Sequence, residues 1–414
     1  MPIKQSQLRI AHFTDSFYPK IDGIVTFLDN FIGYFSKIGY KIAVFCPTYK
    51  NEKEKYFGRN VKIFRLKSLS LRAYKEVKIS MAMPKTILSQ LREFKPDIIH
   101  IHTPGPIGIL GIMASGRLNV PLIGTYHTMV SEQTGYLFPG NMLWLNKLAS
   151  GVYRMFNREK CRKIKNGGIL KNIIWGASLK IYKKCDVIIA PSQSIARLLK
   201  RSLNHRISYV CCGIDLKKFR PKNKYSTAKK LSFLCVGRLS FEKNTDIIIK
   251  AFHILDKKGY SDFSLSIVGG GPAKSRLENM AKMYGLESKV HFIGELQGYE
   301  LRGIYKKSDV FVTASAMETL GMAILEALAS GIPVIAVRKY AVPDIVKDGV
   351  NGYLADPYDP ASFSEAIIKI IRNKSKIPRF GKNGARGLRS LELGASMRKL
   401  ETVYISALSS KNSK

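Results

Sequence analysis

The chain has 414 residues, of which 45% are hydrophobic, enough for two or three ordinary domains or one large α/β unit. Lys and Arg number 68 against 30 Asp and Glu, and the net charge of +38 favours polyanionic partners: nucleic acid, an anionic membrane or phosphorylated substrates. The N-terminus has no signal-peptide pattern, no apolar run reaches about 18 residues, and the six cysteines show no metal-binding spacing. We therefore expect a cytoplasmic protein with reduced thiols and no transmembrane helix.

The N-terminal half alternates short apolar segments with loops and helical patterns. "LRIAHF" predicts a strand, the stretch after Gly23 predicts a helix ending at Gly39, and "YKIAVFCP" predicts the next strand, which together make a βαβ unit. Further predicted strands are "VKIFRL", "DIIHIH", "PLIGTYH" and "DVIIAPS". This order is typical of a doubly wound parallel sheet.

A second series with the same organisation follows a polar stretch that contains Gly and Pro. Its predicted strands are "LSFLCVG", "FSLSIVGG", "VHFIG", "DVFVTAS" and "PVIAV". We predict Rossmann-like domains over residues 1–205 and 206–385, and a helical segment over residues 386–414 that returns to the first domain. Two such α/β domains are expected to face a central cleft, where ligands bind.

Two carboxylates stand in the otherwise apolar stretch "ASAMETLGMAILEALASGIPVIA", residues 314–336. Its Ala, Leu and Met content predicts a helix that begins at Met322. Glu318 precedes this helix and Glu326 lies within it, and a buried carboxylate is costly without a cation, solvent or a hydrogen-bonding ligand. The free backbone amides near Gly321, at the helix N-terminus, form a candidate anion site.

Loops after other predicted strands carry cations and glycines. "VGRLSFEKN" places Arg238 and Lys243 between a strand and a helix, and "VGGGP" places Gly270 in a turn where a ligand could approach the backbone. Gly23 ends the first loop just before a helix, which is a second place for a phosphate to approach. Each feature alone is equally compatible with an ordinary solvated loop.

Histidines close two strands of the N-terminal half. His100 and His102 lie on one face at the end of "DIIHIH", and His127 closes the strand in "GTYHT". A strand histidine is more often a packed residue than a catalyst, and no carboxylate or cysteine at a usual spacing supports metal ligation. We therefore predict no metal site.

These features gain weight together, because all of them fall at the carboxyl ends of predicted strands. Cations and helix amides suit a diphosphate, and carboxylates suit vicinal diols. A ligand with a diphosphate, a ribose and a second sugar is a nucleotide-sugar, and the sequence therefore predicts a nucleotide-sugar site.

The motifs resemble those of the retaining glycosyltransferases of family 4, which have the GT-B fold. "ETLGMAILEALASGIPVIA" resembles their Glu-x7-Glu signature, and "IIHIHTPG", "TYHT", "APSQSIARLL", "GRLSFEKN" and "VGGGP" match in order over roughly the whole chain. The resemblance implies that Glu326 binds the ribose, Glu318 holds hydroxyls of the transferred sugar, and His127 contacts that sugar near the reacting centre. It implies that the other donor-binding residues are Arg238, Lys243, Gly23, Gly270, Gly321 and Met322.

Within the family, "TYHTM" and "ETLGM" look most like the diacylglycerol glucosyltransferases of bacterial membranes. Residues 154–184 carry ten Lys or Arg and one acid, beside an apolar stripe that begins at Leu145. This pattern favours an anionic membrane surface over a core-facing helix with a solvated basic face. The residues expected to bind the membrane are Lys147, Arg154, Arg158, Arg162, Lys163 and Lys165.

The sequence thus predicts a retaining hexosyltransferase that moves glucose or a similar hexose from a UDP-sugar to a lipid hydroxyl such as that of diacylglycerol. We expect no metal or other cofactor and peripheral attachment to a membrane. The alternatives are the same chemistry on a soluble or cell-wall glycan, a nucleotide-sugar epimerase or hydrolase, and a nucleic-acid-binding protein. The last is suggested only by charge, and without a nucleic-acid-binding motif no such partner is expected.

Overall fold

The computed structural model describes residues 8–20, 22–49, 57–70, 78–80, 84–129, 132, 169–222, 225 and 230–412. The chain divides into two compact units. The N-terminal unit comprises residues 1–191, 195–210 and 397–414, and the C-terminal unit comprises residues 192–194 and 211–396.

The N-terminal unit is built on a parallel sheet with helices between its strands. Its strands are β1 (Arg9–Phe13), β2 (Lys41–Pro47), β3 (Val61–Leu66), β4 (Ser68–Ser70), β5 (Lys78–Ser80), β6 (Ile98–Ile101), β7 (Leu122–Thr125), β8 (Val187–Ala190) and β9 (Ile207–Tyr209). The helices are α1 (Gly23–Phe35), α2 (Pro84–Phe94), α3 (Pro106–Leu118), α4 (Ile169–Tyr182) and α5 (Gln193–Ser202). The sheet order is β3-β2-β1-β6-β7-β8-β9, and β4 and β5 form a separate antiparallel pair.

The C-terminal unit repeats this organisation. Its strands are β10 (Leu231–Val236), β11 (Phe263–Val268), β12 (Val290–Gly294), β13 (Val310–Val312), β14 (Val334–Val337) and β15 (Gly352–Ala355). The helices are α6 (Thr245–Lys257), α7 (Lys274–Met283), α8 (Gly298–Lys307), α9 (Met322–Ala329), α10 (Val342–Ile345), α11 (Pro360–Arg372) and α12 (Ile377–Gly387), and α13 (Leu393–Asn412) begins in this unit and continues in the N-terminal one. The sheet order is β12-β11-β10-β13-β14-β15, and all neighbours are parallel.

Apolar runs explain why these segments form central strands. β14 is buried along its whole length, as expected for a parallel strand with both faces covered by helices. In each unit one strand, β1 or β10, lies where the strand order reverses direction. In open α/β sheets, ligands bind outside the carboxyl ends of the strands at such a switch point.

The predicted fold class, two doubly wound Rossmann-like domains, is confirmed. The N-terminal unit extends to residue 210, and the C-terminal unit continues from residue 211. The predicted boundary at residue 205 falls too early, because β9 still belongs to the first sheet, where Ile207 lies opposite Ile188 of β8. Residues 386–396 cluster with the C-terminal unit and only residues 397–414 with the N-terminal unit. The sequence analysis missed β15, whose four residues carry no distinctive apolar alternation.

Candidate active site

A glycine lies at the N-terminus of α9. Gly321 is its N-cap residue with a φ of +86°, a conformation that glycine adopts most easily. Glycine has no side chain that could cap the first amides of this helix. The amide of Ile324 bonds the Gly321 carbonyl oxygen at 3.0 Å, and among the described residues no side chain accepts from the amide of Met322. Unpaired amides and the positive end of the helix dipole favour an anion at this position.

Glu318 and Lys243 form an ion pair beside this helix. The Nζ atom of Lys243 lies 2.7 Å from Oε1 of Glu318, and both side chains are partly buried. Burial by itself would raise the pKa of Glu318, but the Lys243 charge and hydrogen bond outweigh it, so the pKa of this carboxyl lies below its usual range. The sequence assigned the two side chains to different parts of a ligand, and the structure brings them together.

Arg238 also has a carboxylate partner, which the sequence analysis missed. Its guanidinium lies 2.8 Å from Oε1 of Glu242, and the same oxygen accepts a hydrogen bond of 2.6 Å from the Ser240 hydroxyl. Glu242 is 5% exposed, so it is held inside the loop that follows β10. The sequence signal for this pair was Glu242 itself, an acid that lies between the proposed phosphate ligands Arg238 and Lys243 in "RLSFEK".

Glu326 has a different environment from Glu318. Its carboxylate accepts a hydrogen bond of 3.0 Å from the Tyr305 hydroxyl of α8, and in the described residues no Lys or Arg pairs with it. Burial raises the pKa of Glu326 to about 7, although the bond from Tyr305 lowers it in part. Tyr305 was not predicted, because a tyrosine at a helical position reads as core.

The glycine-rich turn after β11 packs against the loop that carries Arg238. A Cβ atom on Gly271, whose φ is +145°, would lie 2.5 Å from the carbonyl oxygen of Leu239. Gly270 accepts a hydrogen bond of 2.7 Å from the Leu239 amide, and a Cβ atom there would meet the carboxylate of Glu295. The glycines therefore allow the two loops to approach each other closely. This close packing explains the glycines at these positions without a ligand.

Gly23 opens α1, but the two amides that follow it are already occupied. The Asp22 carboxylate caps this helix by accepting hydrogen bonds of 3.0 Å from the amides of Ile24 and Val25. A Cβ atom on Gly23 would meet nothing within 4 Å. This helix end is thus a weaker anion site than that of α9, while the space beside Gly23 is open.

Four histidines converge at the carboxyl ends of β1, β6 and β7. Nδ1 of His12 lies 2.8 Å from Nε2 of His102, and Nδ1 of His102 lies 3.1 Å from Nε2 of His127. His100 bonds the Tyr404 hydroxyl and the Thr125 hydroxyl, each at 2.7 Å. The sequence analysis missed His12, which register places opposite His100.

Burial keeps these imidazoles neutral. It lowers the pKa of His12 to about 3 and that of His127 to about 4, and it lowers the pKa of His102 well below its usual range. Nitrogen atoms of His12, His100 and His102 come within 4.8 Å of one another. Both ring nitrogens of His100 already have hydrogen-bond partners, whereas the buried Nε2 of His12 has none among the described residues. Hydrogen bonds therefore account for most, but not all, of the ring nitrogens in this cluster.

The predicted membrane-binding residues, Lys147, Arg154, Arg158, Arg162, Lys163 and Lys165, lie outside the described residues. Among the helices that the structure describes, none combines the length and the apolar character needed to cross a bilayer.

Two family models match the chain in succession. The model "Glycosyltransferase Family 4" matches residues 21–218, and "Glycosyl transferases group 1" matches residues 215–387. The two matches follow the order of the two structural units.

Known relatives are identical to the chain at about a quarter of the aligned residues. It is 27% identical to the sulfoquinovosyl transferase SQD2 of Arabidopsis thaliana, over 87% of this chain and 66% of that protein. It is 28% identical to the alpha-monoglucosyldiacylglycerol synthase of Streptococcus pneumoniae, over 84% of this chain and 75% of that protein. It is also 28% identical to the GDP-mannose-dependent alpha-mannosyltransferase of Corynebacterium glutamicum, over 85% and 78% of the respective chains.

Solved structures share the fold. The structure of Anabaena HepE in complex with UDP-glucose matches with a TM-score of 0.69 at 16% identity, over 96% of this chain and 99% of that chain. The two Rossmann-like units of the present chain therefore have the GT-B fold.

Proposed function

We propose that the chain transfers a hexose from a UDP-sugar to a lipid hydroxyl with retention of configuration. The chain belongs to the glycosyltransferases and carries a family 4 domain followed by a group 1 domain. The observation that carries this proposal is the arrangement at the switch point of the C-terminal unit. Lys243 lies 2.7 Å from Glu318 beside the uncapped end of α9, and Glu326 is held within α9 without a cation.

Each group suits one part of a nucleotide-sugar. The amides at Gly321 and Met322, together with Arg238 and Lys243, would bind the diphosphate. Glu326 would accept hydrogen bonds from the ribose hydroxyls, in addition to the one that it accepts from Tyr305. Glu318 would accept hydrogen bonds from the transferred sugar.

The same groups would stabilise the departing diphosphate. As the bond between the sugar and the phosphate breaks, negative charge grows on the phosphate oxygen, and fixed cations and amides stabilise that charge more than the ground state. We propose that this oxygen takes the proton of the acceptor hydroxyl on the same face of the sugar, which gives retention without a metal. His127, kept neutral by burial, would contact the sugar as a hydrogen-bonding group.

The names of two relatives support a lipid acceptor, since one is an alpha-monoglucosyldiacylglycerol synthase and another a sulfoquinovosyl transferase. The basic segment around Arg158 would place the enzyme on an anionic surface, where each Lys or Arg contributes about 1 kcal/mol. The net charge of +38 acts in the same direction.

The test offers radiolabelled UDP-glucose, UDP-galactose and GDP-mannose to the purified protein with diacylglycerol in phosphatidylglycerol vesicles, in neutral vesicles, or with soluble glycans. We expect an α-linked glucolipid from UDP-glucose, formed best on anionic vesicles and equally well with EDTA. Hydrolysis of the donor without a glycosylated product would contradict the proposal.

A charge-reversed variant tests the membrane assignment separately. Reversing Arg158, Arg162, Lys163 and Lys165 to Glu should abolish vesicle binding and lipid glycosylation while UDP affinity is retained. The matched control reverses four exposed cations of the C-terminal unit, Lys257, Lys282, Lys347 and Arg379. Equal loss of vesicle binding in both variants would mean that net charge, and not this segment, determines membrane binding.

The second candidate is a GDP-mannose-dependent mannosyltransferase, which the similarity to the Corynebacterium glutamicum enzyme favours. It uses the same diphosphate and ribose contacts, so it differs only in the base and the hexose. Preference for GDP-mannose over UDP-glucose in the donor panel would select it.

A further inference from the structure

The ion pair between Lys243 and Glu318 has a consequence for the ligand-free site. Lys243 is proposed to bind a diphosphate, yet its Nζ atom is already 2.7 Å from the Glu318 carboxylate. The side chains are 34% and 18% exposed, so neither charge is fully screened by water. Any phosphate that reaches Lys243 therefore also approaches an anionic group.

The donor and the product of the proposed reaction differ in how they meet this carboxylate. In a nucleotide-sugar the outer phosphate is a diester with one negative charge, and it brings sugar hydroxyls that can donate hydrogen bonds to Glu318. In the free nucleoside diphosphate the outer phosphate is a terminal group joined only through the anhydride oxygen, and like a phosphate monoester it carries about −1.5 to −2 charges at neutral pH. It brings more charge toward Glu318 and no hydroxyl.

We propose that Glu318 is a specificity-determining residue that discriminates against the sugar-free nucleoside diphosphate, and that this discrimination rests on the proposed donor site. Glu318 competes with the product's outer phosphate for Lys243 and repels it. With the donor bound, its carboxylate accepts sugar hydroxyls instead. The pair thus weakens product binding relative to donor binding and speeds product release.

The decisive variant is Glu318→Gln, which keeps the size and hydrogen-bonding capacity of the side chain but removes its charge. We expect UDP to bind roughly threefold to thirtyfold more tightly, because a like charge close to the phosphate is removed. UDP-glucose should bind no more tightly than to the wild type. Calorimetric titrations at low and high salt measure both, and the gain for UDP should shrink at high salt.

The matched control is Glu278→Gln on α7, where a largely exposed carboxylate lies 3.7 Å from Lys274 in a similar Lys–Glu pair. This variant should leave both affinities unchanged. A gain in UDP affinity of the same size would mean that net charge alone is responsible, and the inference would be wrong.

A second measurement changes the ligand. The methyl ester of UDP at its outer phosphate has one charge fewer than UDP and carries no sugar. The wild type should bind this ester more tightly than UDP, and Glu318→Ala should remove the preference. Unchanged or weaker UDP binding by Glu318→Gln, or equal binding of ester and UDP by the wild type, would overturn the inference.

The outcomes also separate this inference from the proposed function. If the wild type binds neither UDP nor GDP, the donor site itself is wrong. If only GDP binds, the same titrations apply with GDP and its ester. If a nucleotide binds and glucose is transferred but Glu318→Gln gains no affinity, only the role of Glu318 in discrimination fails.

Discussion

The carboxyl ends of the two sheets are built from opposite kinds of polar group. In the N-terminal unit, His12, His102 and His127 form a row of hydrogen-bonded imidazoles that burial keeps neutral. In the C-terminal unit, the corresponding edge carries two ion pairs, Arg238 with Glu242 and Lys243 with Glu318. One sheet architecture therefore holds a row of neutral imidazoles in one unit, beside an ion pair between Lys20 and Asp22, and two ion pairs in the other.

We propose that the two units of this glycosyltransferase divide recognition along this difference. A diphosphate needs fixed positive charge, which the C-terminal unit supplies together with the uncapped end of α9. A sugar or a lipid hydroxyl needs hydrogen-bonding groups without net charge, and in this row only the imidazole of His127 is partly exposed and could supply one. Variants at each edge distinguish whether the charged edge or the histidine edge carries the donor.

Removing a cation from the charged edge should have the largest effect. Arg238→Ala or Lys243→Met should lower kcat by about 10²- to 10³-fold, or 2.7–4 kcal/mol, if each stabilises the leaving diphosphate as an oxyanion donor does. The double variant should lose less than the sum, because both cations act on one group. Lys250→Met, which breaks a pair with Asp246 on α6, is the matched control and should retain activity.

Removing the carboxylate of Glu326, which pairs with no Lys or Arg among the described residues, should have the next largest effect. Glu326→Ala should weaken UDP binding by about 1.5–3 kcal/mol, the usual value for hydrogen bonds to a charged group. Calorimetry with UDP measures this directly. Unchanged affinity would remove Glu326 from the nucleotide site.

The raised pKa of Glu326, about 7, makes donor binding depend on pH. Ribose hydroxyls favour the ionised carboxylate, so binding must release a proton when the group is protonated, and UDP-glucose affinity should fall by up to about tenfold per pH unit below 7. Tyr305→Phe should shift this fall to higher pH, because it removes a hydrogen bond that favours the charged form. Glu326→Gln should remove this pH dependence, and persistence of it would assign the titration to another group.

The same buried charge should affect stability. A carboxyl whose pKa is higher in the folded state than in the unfolded state favours folding at a pH below its unfolded-state pKa. This contribution is lost as the pH rises toward the folded-state pKa of about 7. Glu326→Gln should therefore gain about 2–3 kcal/mol over the wild type at pH 8 and little at pH 4, measured by urea unfolding. An equal gain at both pH values would contradict a titrating Glu326.

Gly23→Ala should give the smallest change in stability, a gain of about 0.4–1 kcal/mol, since its Cβ atom meets nothing within 4 Å and its φ is not in the left-handed region. If the donor approaches this position, the added methyl group should nevertheless weaken UDP-glucose binding. Full affinity in this stable variant would exclude Gly23 from the donor site.

The sequence predicted the sheets well because apolar strands, glycine turns and helix patterns are local signals. It also predicted the positions of Glu318 and Glu326, since carboxylates in an apolar stretch are conspicuous. It could not predict that Glu318 pairs with Lys243, 75 residues away, or that Tyr305 bonds Glu326, because such contacts depend on strand order. His12 was missed for the same reason, since only register brings it beside His100.

Hydrogen–deuterium exchange with and without saturating UDP tests most directly where the donor binds. We predict slower exchange in peptides that cover residues 237–243 and 318–326 of the wild type, and the loss of this protection in Glu326→Ala at the same UDP concentration. Protection confined to the histidine cluster of the N-terminal unit, or none in either segment, would contradict the assignment of the charged edge to the donor.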